Sequence, residues 1–226
     1  MLATLADDGT AGNAMSRLSA ATFETTDFAN PTGSLTIKRG NATDTLAVNA
    51  LPDFTANLTI GPAGSEFSTV TFNRAIALAS NNSLAANASG AIDLSNGTNA
   101  LTTSGTGTIS FNGANVTGAG NVSTGGGLTV SNMGSSSTLS GVISGTGGLT
   151  KLGAGTLVLS GANTYPGATA VNSGRLNIDG SIDSNTTVNS GATLGGTGTI
   201  NSANTLTVNG GVLAPARAPA FSTLGM

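Results

Sequence analysis

The side chains that carry most nucleophilic and metal chemistry are missing from this sequence. It has no histidine and no cysteine. Ser-His-Asp and Cys-His arrangements therefore cannot form within the chain, nor can zinc sites of the usual His/Cys kind. Carboxylates remain. Asp7 and Asp8 are adjacent near the start, and Asp179 and Asp183 flank Gly180-Ser181-Ile182. A glycosidase needs two carboxylates about 5–10 Å apart across a cleft. Nothing in the pattern specifies a cleft, so both pairs read as solvated turn residues. The nearest match to a calcium-binding G-G-x-G-x-D repeat is Gly195-Gly196-Thr197-Gly198-Thr199-Ile200, with Ile where Asp is required. Gly147-Gly148 and Gly153-Ala154-Gly155 are followed by neither a Lys-Ser/Thr pair nor a helix, so they read as turns rather than phosphate loops. No catalytic, cofactor-binding or metal-ligating residue is assigned. The chain is read as non-enzymatic, with no cofactor.

Charge points the same way. Only 8% of residues are charged and the net charge is −3. Nucleic acid attracts basic stripes, and Lys38-Arg39 is the single basic cluster. Residues 1–93 hold eight acids and four bases, whereas residues 94–226 hold two acids and three bases. Lys151 and Arg175 are isolated in that neutral half and are assigned to a solvated face. No stretch of 18 apolar residues exists, so no transmembrane helix is predicted. The start, MLATLADDGT, lacks the basic and apolar regions of a signal peptide. If the protein is exported, that signal is expected outside this sequence.

The elements that would position any site are short strands. Ser34-Leu35-Thr36-Ile37, Asn57-Leu58-Thr59-Ile60, Thr156-Leu157-Val158-Leu159 and Leu206-Thr207-Val208 alternate apolar and polar residues, which is the half-buried strand pattern. Gly, Asn and Ser punctuate them every few residues and supply tight turns. Residues Asn13–Phe23 fit a short cap helix or a ragged first strand. Strands this short, with turns this frequent, favour a solenoid, in which each strand lies under its equivalent one coil away.

A repeat supports that reading. Val171-Asn172-Ser173-Gly174 leads to Leu176, Val188-Asn189-Ser190-Gly191 to Leu194, and Val208-Asn209-Gly210-Gly211 to Leu213. Each copy would point Val and Leu inward and place Asn at a corner, stacked on the Asn of the next coil. The spacings of 17 and 20 residues predict about ten coils and a rod of roughly 50 Å at about 4.8 Å per coil. Thr pairs such as Thr106/Thr108, Thr197/Thr199 and Thr205/Thr207 are irregularly spaced along the chain, so a flat lattice of threonines is not expected. Tyr165-Pro166 marks a corner where the ring packs on a neighbouring coil.

The segment from Gly147 through Leu149-Thr150-Lys151-Leu152-Gly153-Ala154-Gly155-Thr156-Leu157-Val158-Leu159-Ser160-Gly161-Ala162-Asn163-Thr164-Tyr165-Pro166-Gly167, continuing to Leu176, resembles the autotransporter-associated β-strand repeat. Leu139-Ser140-Gly141-Val142-Ile143-Ser144-Gly145 fits the lead-in of that family. The resemblance covers roughly residues 137–215. It departs at Ala214-Pro215-Ala216-Arg217-Ala218-Pro219, where the turn chemistry is altered, and the 226 residues leave no room for a translocator barrel. It implies a right-handed, single-stranded parallel β-helix that is exported and surface-displayed.

The resulting expectation is an all-β solenoid. Residues 1–30 form an N-terminal cap or lead-in, 31–136 degenerate coils, 137–215 autotransporter-type repeats and 216–226 a tail that covers the far end. Its expected role is a non-catalytic stalk or adhesin segment of a bacterial secreted or surface protein. The alternatives are a glycan- or surface-binding module and an extracellular filament subunit that associates end to end. A lyase of the kind built on parallel β-helices would need clustered acids for calcium, and the acids here are scattered. Expected partners are surface glycans or other copies of the chain, with no nucleic acid and no membrane insertion.

Overall fold

A computed structural model describes residues 1–10, 12–94, 100–132, 134 and 136–216. Within them the strands stack in parallel as a β-solenoid, and no helix forms. Three faces recur in each coil. The first face is built from Ser34–Ile37, Asn57–Ile60, the start of Leu84–Asp93, Thr108–Gly113, Gly127–Asn132, Leu149–Leu152, Thr169–Val171, Thr186–Asn189 and Leu206–Asn209. The second runs from Thr45–Val48 and Phe67–Phe72 to Ala192–Gly196 and Val212–Pro215. The third is narrow, with two- or three-residue strands such as Ala100–Thr102 and Asn121–Ser123.

This makes about eight turns rather than ten. Leu35, Leu58, Leu84 and Ile109 occupy equivalent positions on the first face, and their steps are 23, 26 and 25 residues. From Ile109 onward, through Leu128, Leu149, Thr169, Thr186 and Leu206, the steps shrink to 17–21. First-face strands stay at three to six residues apart from Leu84–Asp93, which runs through two faces. The longer early coils carry their extra residues in loops, and the spacing of the later copies underestimates them.

Alternation places two apolar columns inside each broad face. On the second face, Leu46, Val70 and Ile92 align, as do Leu157, Leu176 and Leu194 further along, and all six are buried. Ser137 replaces the aliphatic residue one coil before Leu157, and its buried hydroxyl accepts the Val116 N–H at 2.8 Å. Backbone bonds run from coil to coil along the axis.

Residues Asn13–Phe23 are strand and turn, not helix. β1 (Leu2–Asp7) extends the second face parallel to Thr45–Val48. β2 (Met15–Ala20) and β3 (Phe23–Ala29) follow antiparallel, with an irregularity between Leu18 and Ala20. Leu18, Ala20 and Phe28 pack on the core beside Leu35 and close that end. The outermost strand β3 is largely exposed and carries Glu24 and Asp27, the latter paired with Arg17. Charge on an edge strand discourages further pairing. Asp44 secures the cap. It accepts the Met1 amino group at 3.1 Å and the amides of Gly40 and Asn41, and these bonds, Asn41 foremost, hold its carboxyl below the usual range. At the far end, Val208 and Val212 remain 43% and 55% exposed. The expected tail over that end, 216–226, lies beyond Ala216 outside the described residues.

Candidate functional site

Of the four acids, Asp8, Asp179 and Asp183 lie outside the strands, whereas Asp7 closes β1. Asp7 accepts the Gly9 amide, and Asp8 accepts the Thr10 amide and the Asn13 side chain. Asp179 caps the Thr197 amide of the following coil, while Asp183 accepts from Asn204. The two latter carboxylates are thus committed to separate corners. Among the described residues, no three His, Cys, Asp or Glu side chains gather in a metal-binding group. Gly196 in the G-G-x-G-x-I segment has a backbone angle φ of +113°, and a Cβ there would meet the Ile178 carbonyl at 2.0 Å. That segment is a packed corner.

Two ladders legible in the repeat are present. Val171, Val188 and Val208 stack in register, and so do Leu176, Leu194 and Leu213. At the corner, Asn189 donates to Asn172 at 2.7 Å and Asn209 to Asn189 at 3.4 Å. A third ladder was hidden by the uneven loops. Thr36, Thr59, Ala85, Ser110, Thr129, Thr150, Ala170, Thr187 and Thr207 align on the outside of the first face. Six of the nine are threonine and none is charged, so this face is a regular hydroxyl column despite the irregular spacing in sequence.

Lys151 corrects the expectation of a solvated face. It lies in the inward column between Val130 and Val171 and is fully buried. Its ammonium donates to the carbonyls of Leu152 (2.6 Å), Gly153 (2.8 Å) and Ser173 (3.3 Å), the last from the next coil. It has no carboxylate within ion-pair distance among the described residues. The corner also holds Asn132, buried, whose Oδ1 has no partner. Burial lowers the Lys151 amine to about 8, whereas hydrogen bonds to the carbonyls favour its charged form. Arg175 is half-buried. It lies over Gly195 and donates to Asn177 and to the Ala214 carbonyl two rungs away.

The sign of the pH effect follows. The unfolded amine titrates near 10.5 and the folded one near 8, so the unfolded chain binds more protons between those values. Stability therefore rises as pH rises from 8 towards 10. The three carbonyls offset part of the cost of burying the ammonium, so the expected gain is on the order of 1–2 kcal/mol. Tyr165 bounds the window. Burial raises its phenol, so its contribution falls once the unfolded phenol ionises near pH 10. Denaturant titrations from pH 7 to 10 should show the rise in the wild type and a flat profile in Lys151→Met.

Tyr165 is likewise interior, with its ring in the core and not only against a corner. Its hydroxyl meets Thr169 Oγ1 at 2.8 Å, which in turn meets Ser184 Oγ at 2.7 Å.

The Passenger-associated-transport-repeat family matches residues 149–178, the stretch holding Lys151, Tyr165 and the first Val-Asn-Ser-Gly corner. That stretch is passenger-type repeat sequence. The chain is 50% identical over 58 residues to the "Extracellular serine protease" of Serratia marcescens, covering 26% of this chain and 6% of that protein. It is 43% identical over 83 residues to the "Adhesin BmaC autotransporter" of Brucella suis biovar 1 (strain 1330), covering 35% of this chain and 2% of that protein. The chain thus spans a small fraction of either relative. No solved structure matches it.

Proposed function

We propose that this passenger segment is a non-catalytic spacer that holds other parts of a bacterial surface or secreted protein away from the cell. The observation that carries this reading is the continuity of the inward ladders through about eight turns. A solenoid with one unbroken core resists bending and has a length set by coil number. The capped end at β1–β3 favours a spacer over growth by stacking whole coils there. Small-angle scattering should give a rod of about 40 Å plus its cap, and deletion of one complete coil should shorten it by about 5 Å without loss of β-structure. A compact particle, or unfolding on deletion, would overturn the spacer.

A second reading is an adhesive face. The uncharged hydroxyl column on the first face favours it, because such a face is desolvated cheaply and offers donors and acceptors at one regular spacing. Surface glycans are the fitting partner class. Saturable binding to immobilised glycans, abolished by Lys at Thr129 and Thr150, would move the assignment to this reading.

A further inference from the structure

The inward column that holds Lys151 is otherwise built for slippage. It runs Ile60, Ala86, Phe111, Val130, Lys151, Val171, Val188 and Val208. The column beside it runs Leu58, Leu84, Ile109, Leu128, Leu149, Thr169, Thr186 and Leu206. A shift of one rung by two residues along its neighbour moves one column into the place of the other and keeps the same side chains facing inward. Side-chain alternation therefore does not forbid it. The turns at 153–155 and 160–168, on either side of the paired strand Thr156–Leu159, are where such a shift would be taken up. Apolar packing alone leaves the alignment of this rung weakly determined.

Lys151 breaks that degeneracy. At its observed place its ammonium leaves the core at the corner and meets three carbonyls, one of them Ser173 on the following coil. Two residues away along the strand, the same ammonium would face Thr169, whose hydroxyl is already bonded to Tyr165 and Ser184 and whose backbone groups are paired within the sheet. We infer that Lys151 is a register key, a buried cation satisfied only when the Leu149–Leu152 rung is aligned with Thr169–Val171 as observed. A single polar group in an otherwise apolar seam is known to select register at a cost in stability. The lowered basicity of the amine is that cost. No other charge shares the corner. The rungs Gly127–Asn132, Thr156–Leu159 and Thr169–Val171 carry no ionisable side chain, and Arg175 is turned to the outer face, where it binds Asn177 and Ala214.

The absence of cysteine makes the test direct. Thr150 and Ala170 are directly opposed on adjacent rungs, within disulfide reach, whereas Thr150 and Ala168 would face each other only after that two-residue shift. Cysteine pairs at 150/170 and at 150/168 are introduced separately, and the chains are refolded and oxidised. With Lys151 present, the 150/170 pair should cross-link and the 150/168 pair should not. With Lys151→Val, the 150/168 cross-link should rise by about tenfold or more after refolding. Lys151→Met, which keeps the stem, should behave like Val. If both variants cross-link only in the observed register, the key is refuted. If both lose their β-structure, Lys151 acts as a source of stability and the inference also fails.

Discussion

Replacing Tyr165 with Ala should destabilise the second half of the solenoid by about 3–5 kcal/mol, the usual range for emptying a buried aromatic site. Tyr165 is the largest fully buried side chain among the described residues. It fills a place where the inward Leu column gives way to Thr169 and Thr186, smaller residues on two successive coils. Its ring supplies the volume those threonines lack, and its hydroxyl supplies a partner for Thr169 Oγ1. The two roles separate by substitution. Tyr165→Phe keeps the ring and leaves Thr169 paired with Ser184, so it should cost only about 0.5–1.5 kcal/mol. Because coils contact only their neighbours, the damage should be local. Hydrogen exchange should accelerate at Thr169–Val171 and Thr186–Asn189 in the Ala variant, while Asn57–Ile60, several coils away, keeps its protection. Equal loss at both places would mean that the solenoid unfolds as one unit.

Much of this architecture was legible because strand residues and corner residues leave different marks. The Val-Asn-Ser/Gly-Gly copies gave the Val and Leu ladders and the stacked corner Asn, and each is present in register. Coil number was less legible, since the early coils lengthen their loops and keep the same strands. The same loop variation concealed the outer threonine column, which exists only in register space. Lys151 was misplaced for a different reason. Its charge argued for solvent, yet the alternation in Leu149-Thr150-Lys151 put it on the same side as buried Leu149. The pattern was the better guide, and the corner carbonyls explain how a cation fits there. Asn132 and Ser137 follow the same rule, since alternation sets Asn132 on the side of Leu128 and Val130 and Ser137 on the side of Leu139.

The corner glycines permit a controlled comparison, and the larger effect is expected at Gly174. Gly174 and Gly191 end the same Val-Asn-Ser-Gly motif, and both have positive φ, +66° and +80°. An alanine at either place must adopt the left-handed conformation, which costs about 1–2 kcal/mol. Their surroundings differ. A Cβ at Gly191 would meet nothing within 4 Å, whereas one at Gly174 would lie 2.4 Å from the Gly153 carbonyl oxygen and 2.5 Å from that of Gly155. Those are backbone atoms of the preceding coil, fixed by the corner that also receives the Lys151 ammonium, so neither can yield cheaply. Gly191→Ala should therefore cost about 1–2 kcal/mol, and Gly174→Ala roughly 3 kcal/mol or more, by adding overpacking to the same conformational term. Chemical denaturation of the two variants side by side isolates the steric part. Equal losses would show that the preceding coil moves aside at Gly174; a much larger loss at Gly174 would establish that close stacking of the corner backbones is what holds successive coils at their spacing.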